Sequence, residues 1–538
     1  MRNVMNSILS NSNAAFVFTV LLLSGLIISF AYGHPVNENK SRDQLWKEVD
    51  QARSQRLPKT EMELLQRIYT LAVAEQEYPD AARALLQKIV VESTINQPAA
   101  PFAIKKLQSE IENVPESLKP ITDAVLANWM YAYFQSNRWR FQQRSQTSTA
   151  PSDDIETWDL RQILQSIDES FTSALSNAEE LKKTPVAQFS RLTEGGNAQG
   201  DLRRPTAFDF IAHEALEFYA LDEQITQGID AFEITADSPI FSVAQQFLNW
   251  QPASADADSF ALRTIKLYQQ LLTFHQNDDD PTAYLAADLE RLSFAGITAK
   301  GQEKTARYQS ALQRFADKNK QHPISTEALA GLARSQRDEG DLVEAHRIAT
   351  IGLNRFKDSP GGAECQNLIL SIQQPAASIA TELNWNSEQP EFTINYKNIN
   401  QISFRIVEFK RAFWELGFQI NRDGDQRKSR QRLLNLPVIK QWDVELAATE
   451  DYQMATQSVA APDDLKKGAY LIIGLIDAGA ENDNEVVFAE NFWRTDLAHV
   501  ARVIYQDNVL QGQVLDSVTG LPVVAANIKV QAYVKDQG

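Results

Sequence analysis

From about residue 41 to residue 370, apolar side chains recur at three- and four-residue spacing. Leu64, Leu65, Ile68, Leu71 and Ala72 form one such stripe, the mark of a helix with one buried face. Helix starts are signposted. In Leu57-Pro58-Lys59-Thr60 a proline stands where the first turn has no amide to lose. Glu77-Tyr78-Pro79-Asp80 restarts the chain into 81–91. The same periodicity predicts helices at about 101–113, 118–136, 155–181, 206–221, 238–249, 258–275, 281–291, 302–319, 325–338 and 341–356. The breaks are short, except for a polar loop at 183–206 containing Glu194-Gly195-Gly196-Asn197.

The last pair reads as a helical hairpin. Leu329, Leu332 and Ala333 share one face, Gly340-Asp341 makes the turn, and Ala345, Ala349 and Gly352 face back; Pro360 is expected to end the unit. Small residues there let antiparallel helices approach closely, and the unit is similar to a tetratricopeptide repeat. Only this pair fits well, so the region is expected to be a helical array. Such a module offers a surface for partners or a rigid spacer.

After Pro375 the period falls to two. Ile394 and Tyr396, then Ile402, Phe404 and Ile406, alternate with polar residues. Strands are expected at about 377–385, 390–397, 402–409, 440–447, 452–458, 468–477 and 485–492. Antiparallel strands this short and this closely spaced suggest a β-sandwich. The apolar run 471–476 would be its central strand. A second β unit is expected from about 498, with 509–515 and 526–534 as strands pairing across a turn at 518–522. Two strands alone bury little apolar surface, so that unit reads as the start of a longer domain.

The chain has 538 residues, room for about three or four domains of ~100–200 residues each. Its net charge is −18 with no long basic run, which argues against a nucleic-acid partner. Cys365 is the single cysteine. An intramolecular disulfide and any multi-cysteine metal site are therefore excluded. The apolar run 16–30 is short for a spanning helix and suits a signal peptide, with a small-x-small site at Ala31-Tyr32-Gly33. An uncleaved anchor is the alternative. Leu26 stands where a lipoprotein would carry its lipidated cysteine. Export with one cysteine fits a bacterial envelope or periplasm, without a lipid anchor.

Chemical motifs are sparse. His213-Glu214-Ala215-Leu216-Glu217 has the first half of a zinc-helix motif, but Glu217 stands where the second histidine belongs. A helix–helix polar contact is the simpler reading. Asp278-Asp279-Asp280 could attract calcium, or Asp280 could cap the helix starting at Pro281; the cap is preferred. Asn421-Arg422-Asp423-Gly424-Asp425 lacks the downstream Glu of an EF-hand and reads as a loop. The glycines of 195–200 follow no strand and precede no Gly-Lys-Ser/Thr, so they read as a loop too. Trp129, Tyr131, Tyr133, Phe134, Trp139 and Phe141 could form a carbohydrate platform, but helical core is the preferred reading. Cys365, among Ala363, Leu368 and Ile369, reads as a small buried residue. No catalytic, cofactor-binding or metal-ligating residue is assigned.

Several stretches together resemble the N-terminal half of the bacterial alpha-2-macroglobulin-like family. They are Leu45-Trp46-Lys47-Glu48-Val49-Asp50 with Leu57-Pro58-Lys59-Thr60; Leu192-Thr193-Glu194-Gly195 with Arg204-Pro205-Thr206-Ala207-Phe208-Asp209-Phe210-Ile211-Ala212; 365–372 leading to Tyr396-Lys397-Asn398-Ile399 and Phe404-Arg405-Ile406; and 514–526. Their order and the helical-then-β layout carry the likeness, which covers almost the whole exported chain. The resemblance implies stacked macroglobulin β-sandwich domains and endopeptidase inhibition by protease trapping, with proteases as partners. Many members carry a Cys–Gln thioester, but here Cys365 is followed by Gln366-Asn367-Leu368, so no thioester residues carry over and no bait segment is identifiable. The expectation is an α+β multidomain, non-enzymatic protein without cofactors: signal peptide 1–33, helical solenoid-like module 41–370, macroglobulin-type β-sandwich 376–495, and an incomplete second sandwich at 498–538. The alternative is a non-inhibitory envelope scaffold that holds other proteins through its helices.

Overall fold

A computed structural model describes residues 40–538 apart from 97, 145–153, 190–201, 221–231, 253–258, 387–388, 410–434, 477–485, 505–508 and 529–538. The expected signal peptide, the glycines of 195–200, the 421–425 loop and the far end of the last expected strand lie outside the described residues. The protein is α+β, with helices first and mostly antiparallel strands after them. It divides into two compact units, Met1–Asn319 and Lys320–Gly538. No described helix is long and apolar enough to cross a membrane.

The first unit opens with α1 (Arg42–Ser54), α2 (Pro58–Ala74) and α3 (Tyr78–Ile95). Leu45, Trp46 and Val49 of α1 pack with Leu65 and Ile68 of α2 and Ala84 of α3 in one buried cluster. The turns between them share one device. Arg56 and Gln76 take left-handed conformations, with φ of 58° and 60°, and the following amides reach back: Leu57 N–H to Ala52 O at 2.9 Å and Glu77 N–H to Ala72 O at 2.8 Å. This back-bonding satisfies carbonyls a helix end leaves open.

Next come α4 (Ala99–Ile111), α5 (Lys119–Ser136) and α6 (Arg138–Gln142). The expected single helix at 155–181 is broken. A short turn at Ile155–Thr157 is followed by α7 (Leu160–Leu175) and α8 (Ala178–Leu181). The cause is Asp159, whose carboxylate accepts from Gln162 N–H at 2.9 Å and so starts a new helix there. The unit continues with α9 (Ala207–Tyr219), α10 (Ala244–Leu248), α11 (Phe260–His275), α12 (Thr282–Thr298) and α13 (Lys304–Lys318).

The second unit begins with α14 (Ser325–Asp338), α15 (Leu342–Arg355) and α16 (Pro360–Gln373). Leu329, Leu332, Ala333, Ala345, Ala349 and Gly352 are all buried, as their spacing predicts. Pro360 follows the α14–α15 hairpin without ending the helical run. It heads α16, with Ser359 capping Gly362 N–H at 3.0 Å, because proline suits a first turn as well as it breaks a later one.

The strands are β1 (Ala376–Thr381), β2 (Asn384–Trp385), β3 (Glu391–Lys397), β4 (Gln401–Glu408), β5 (Val438–Glu445), β6 (Ala455–Ala460), β7 (Gly468–Ile476), β8 (Val486–Arg494), β9 (Leu497–Ile504) and β10 (Val509–Asp516). They form sheets ordered β1-β3-β6, β2-β8-β7-β4-β5 and β10-β9. The expected strand at 377–385 is split, and β2 crosses to the other sheet, where it pairs with β8 in parallel, Asn384 to Trp493. Not every pairing is therefore antiparallel. Both larger sheets feed one core: Ile379, Phe392, Ile394, Tyr396 and Val459 from one, Trp385, Phe404, Ile472 and Phe492 from the other. On β7, Ile473 and Leu475 join Val407 in a separate buried cluster, so the strand is covered on both faces and reads as continuously apolar.

Of the strand expected at 526–534 to pair with 509–515, residues 529–534 lie outside the described residues, and 526–528 form no strand. β10 pairs along its length with β9, Val509 opposite Ile504 through Asp516 opposite Leu497. The 518–522 turn folds the chain back, and among the described residues a bridge forms between Leu515 and Pro522. Ala525, at φ 59°, bends the chain just beyond it.

Candidate functional site

Three buried ionisable side chains, Asp209, His213 and His275, come together where α9, α11 and α12 meet. α9 opens with a reciprocal cap: the Asp209 carboxylate accepts from Thr206 N–H at 2.9 Å, and Thr206 Oγ1 accepts from Asp209 N–H at 3.3 Å. Thr206 Oγ1 also donates to that carboxylate at 2.8 Å. Asp209 is fully buried, so its other oxygen needs a partner within the protein. His275 Nε2 provides it at 2.7 Å, and His275 Nδ1 meets Asp278 Oδ2, also at 2.7 Å.

Carboxylate oxygens only accept, so a ring held between two of them carries a proton on each nitrogen. Burial alone would lower the His275 pKa, but Asp209 and Asp278 outweigh it and raise it above the usual histidine value. His275 also ends α11, where the carbonyl end of the helix favours a cation. Its ring packs on Phe274 with centroids 4.3 Å apart.

His213, one turn into α9, donates from Nδ1 to Asp209 O at 2.7 Å. Its Nε2 is 3.1 Å from Glu290 Oε2 of α12, at an angle outside hydrogen-bond geometry. Arg204 stands 3.9 Å from the same glutamate. Burial would raise the Glu290 pKa, but His213, Arg204 and Arg203 prevail and lower it. His213 thus bonds within α9 and approaches Glu290 of α12 without a hydrogen bond. Among the described residues no group of three or more His, Cys, Asp or Glu side chains is placed to hold a metal ion. The acidic run divides its work: Asp278 holds His275, and Asp280 Oδ1 accepts from Thr282 N–H at 2.9 Å at the head of α12.

The other candidates settle simply. Trp129, Tyr131, Tyr133, Phe134 and Phe141 are buried, and only Trp139 is exposed, so they form core and no platform. Cys365 is fully buried, and burial pushes its thiol up to about 11, against a smaller pull from Arg334. Such a thiol is unreactive at neutral pH. The sequence pointed to His213 and Asp278 but missed Asp209, His275 and Glu290. The Thr206-x-x-Asp209 capping pattern and the His275-x-x-Asp278 spacing were the signals available.

What the α9–α11–α12 arrangement does chemically is hold helices together. Asp209 and His275 are paired within the group, whereas His213 Nε2 makes no hydrogen bond. The chain matches no protein-family model and no curated protein by sequence.

Proposed function

We propose that this chain is the N-terminal portion of an exported, non-enzymatic alpha-2-macroglobulin-like protein, with endopeptidase trapping as the activity of the assembled molecule. The observation that carries the reading is the β region. Its two sheets of three and five strands share one aromatic core, which we read as a macroglobulin-type β-sandwich. A further pair of strands follows after Thr495 and Asp496, as in a string of such domains. The α14–α15 hairpin, with its buried small residues and its Gly340 turn, is read as tetratricopeptide-like. Exported in this way, the protein works in the periplasm or envelope, and its acidity disfavours nucleic acid.

The test is to mix the native protein with trypsin and follow two substrates. Trapping predicts that hydrolysis of a large protein such as casein falls while a short chromogenic peptide is still cut. Unchanged hydrolysis of both would overturn it.

A scaffold role is the second reading. It is favoured by exposed apolar residues on the α15 and α16 surfaces, Val343, Ile351 and Leu370, which suit a protein partner better than water. Unchanged protease activity together with stable co-purification of one envelope protein, lost on Val343→Asp, would favour it.

A further inference from the structure

We infer that the junction of α9, α11 and the loop to α12 is a proton-operated latch: a proton on His275 keeps the first turn of α9 closed, and loss of that proton releases the turn. The argument starts from Asp209. Its carboxylate both completes the cap with Thr206 and receives His275 Nε2. The imidazole is nearly fully buried and touches a carboxylate with each nitrogen. Remove one proton and a ring lone pair faces a carboxylate oxygen, that of the fully buried Asp209 at Nε2 or of the partly exposed Asp278 at Nδ1. The ring must then give up Asp209, or keep it through a neutral and weaker N–H while the partly exposed Asp278 turns to solvent; either way the hold on the first turn of α9 weakens.

The first turn of α9 is also tied to the segment before it. Ala207 N–H donates to Thr184 O at 2.8 Å, and Val186 N–H donates to Pro205 O at 2.9 Å. Releasing Asp209 therefore loosens both 184–186 and 205–209. The other charged groups here do not replace the imidazolium. His213 gives Nδ1 to a backbone carbonyl and faces Glu290. Arg204 and Arg203 act on Glu290. Lys182 lies over the Phe208 and Phe274 rings at 5.2 and 5.5 Å.

The direction follows from the raised folded-state value of His275. Its contribution is complete below the ordinary histidine pKa of 6.5 and is lost as pH rises through the folded value. Glu290 works on the other side. Its lowered value gives a contribution present above 4.5 and lost as pH falls through the folded value. The junction is thus tightest in mildly acidic solution and opens on the alkaline side.

The test is hydrogen exchange of the full chain from pH 6 to pH 9, corrected for the intrinsic rate. The peptide covering 205–213 should lose protection about tenfold or more, the scale of one charge-assisted hydrogen bond, while peptides from β7 stay constant. His275→Gln should show the low protection at every pH. Asp278→Asn serves if that variant does not fold, because Asp278 is partly exposed. Without the second carboxylate a neutral ring is tolerated, so the transition should move to lower pH. Constant protection of the wild-type peptide across the range, or a wild-type profile in Asp278→Asn, would overturn the latch.

Discussion

Gly352 of α15 lies against the thiol of Cys365 on α16: a Cβ built on the glycine would stand 2.5 Å from Sγ. The only cysteine is therefore a packing residue, and the helices touch where neither side chain can grow. Gly361 is tighter still, since a Cβ there would meet the backbone of Thr326 and Glu327 within 2.4 Å.

Gly352→Ala should destabilise the second unit by about 1–3 kcal/mol, the usual cost of overpacking. Adding Cys365→Ala should recover part of that loss, because the two sites are in contact. Urea unfolding of the single and double variants gives the coupling. Additive losses would mean that the clash is relieved elsewhere.

Cys365 should resist thiol reagents in the folded protein. Its thiol is buried and held up at about 11, so labelling by iodoacetamide at pH 8 should be complete only in denaturant. Methylamine should leave the mass of the chain unchanged. A methylamine adduct or rapid native labelling would contradict both the burial and the packing role.

Asn398→Ala should loosen the hold of the β region on α16. Asn398 sits at φ 57°, donates from its side chain to Ile372 O at 2.7 Å and Gln374 O at 3.2 Å, and gives its N–H to Thr449 Oγ1 at 2.8 Å. Losing the side-chain bonds at a strained position should cost about 1–3 kcal/mol. Limited proteolysis should then cut between Gln373 and Ala376 sooner than in the wild type.

Arg291→Met should be severe. Arg291 is buried against Asp288 at 3.0 Å, and its guanidinium also donates to the Ser242 and Ile240 carbonyls. Truncation strands a buried carboxylate, which costs about 3–5 kcal/mol. Arg291→Met with Asp288→Leu should recover much of it, and thermal melts of the pair decide.

The helix-to-strand change was legible because periodicity reports which faces are buried, and burial here follows it closely. Ile394, Tyr396, Phe404 and Ile406 alternate inward as read. The repeated turns in 42–95 were not legible. Their left-handed positions are Arg56 and Gln76, and nothing in those side chains announces a role usually left to glycine. Gly340, which does the same after α14 at φ 89°, is legible because glycine is the usual residue at such a turn. The α9–α11–α12 site was half visible. His213 and Asp278 stood out by type, but Asp209, His275 and Glu290 come together only through the packing of three helices, and their separation in the chain hides it.

The parallel pairing of β2 with β8 has a consequence in time. Trp385 stacks on Phe492 with ring centroids 3.6 Å apart, and Arg494 reaches the Trp385 carbonyl across 109 residues of chain. Closing so long a loop costs entropy before any contact repays it. The helical hairpins need only neighbours a few turns away and can form as the chain emerges from the ribosome. β2 must wait, with its tryptophan unburied, until β8 has been synthesised. The second unit should therefore mature last, and a stalled or slowed chain should be most exposed to aggregation between the synthesis of these two strands.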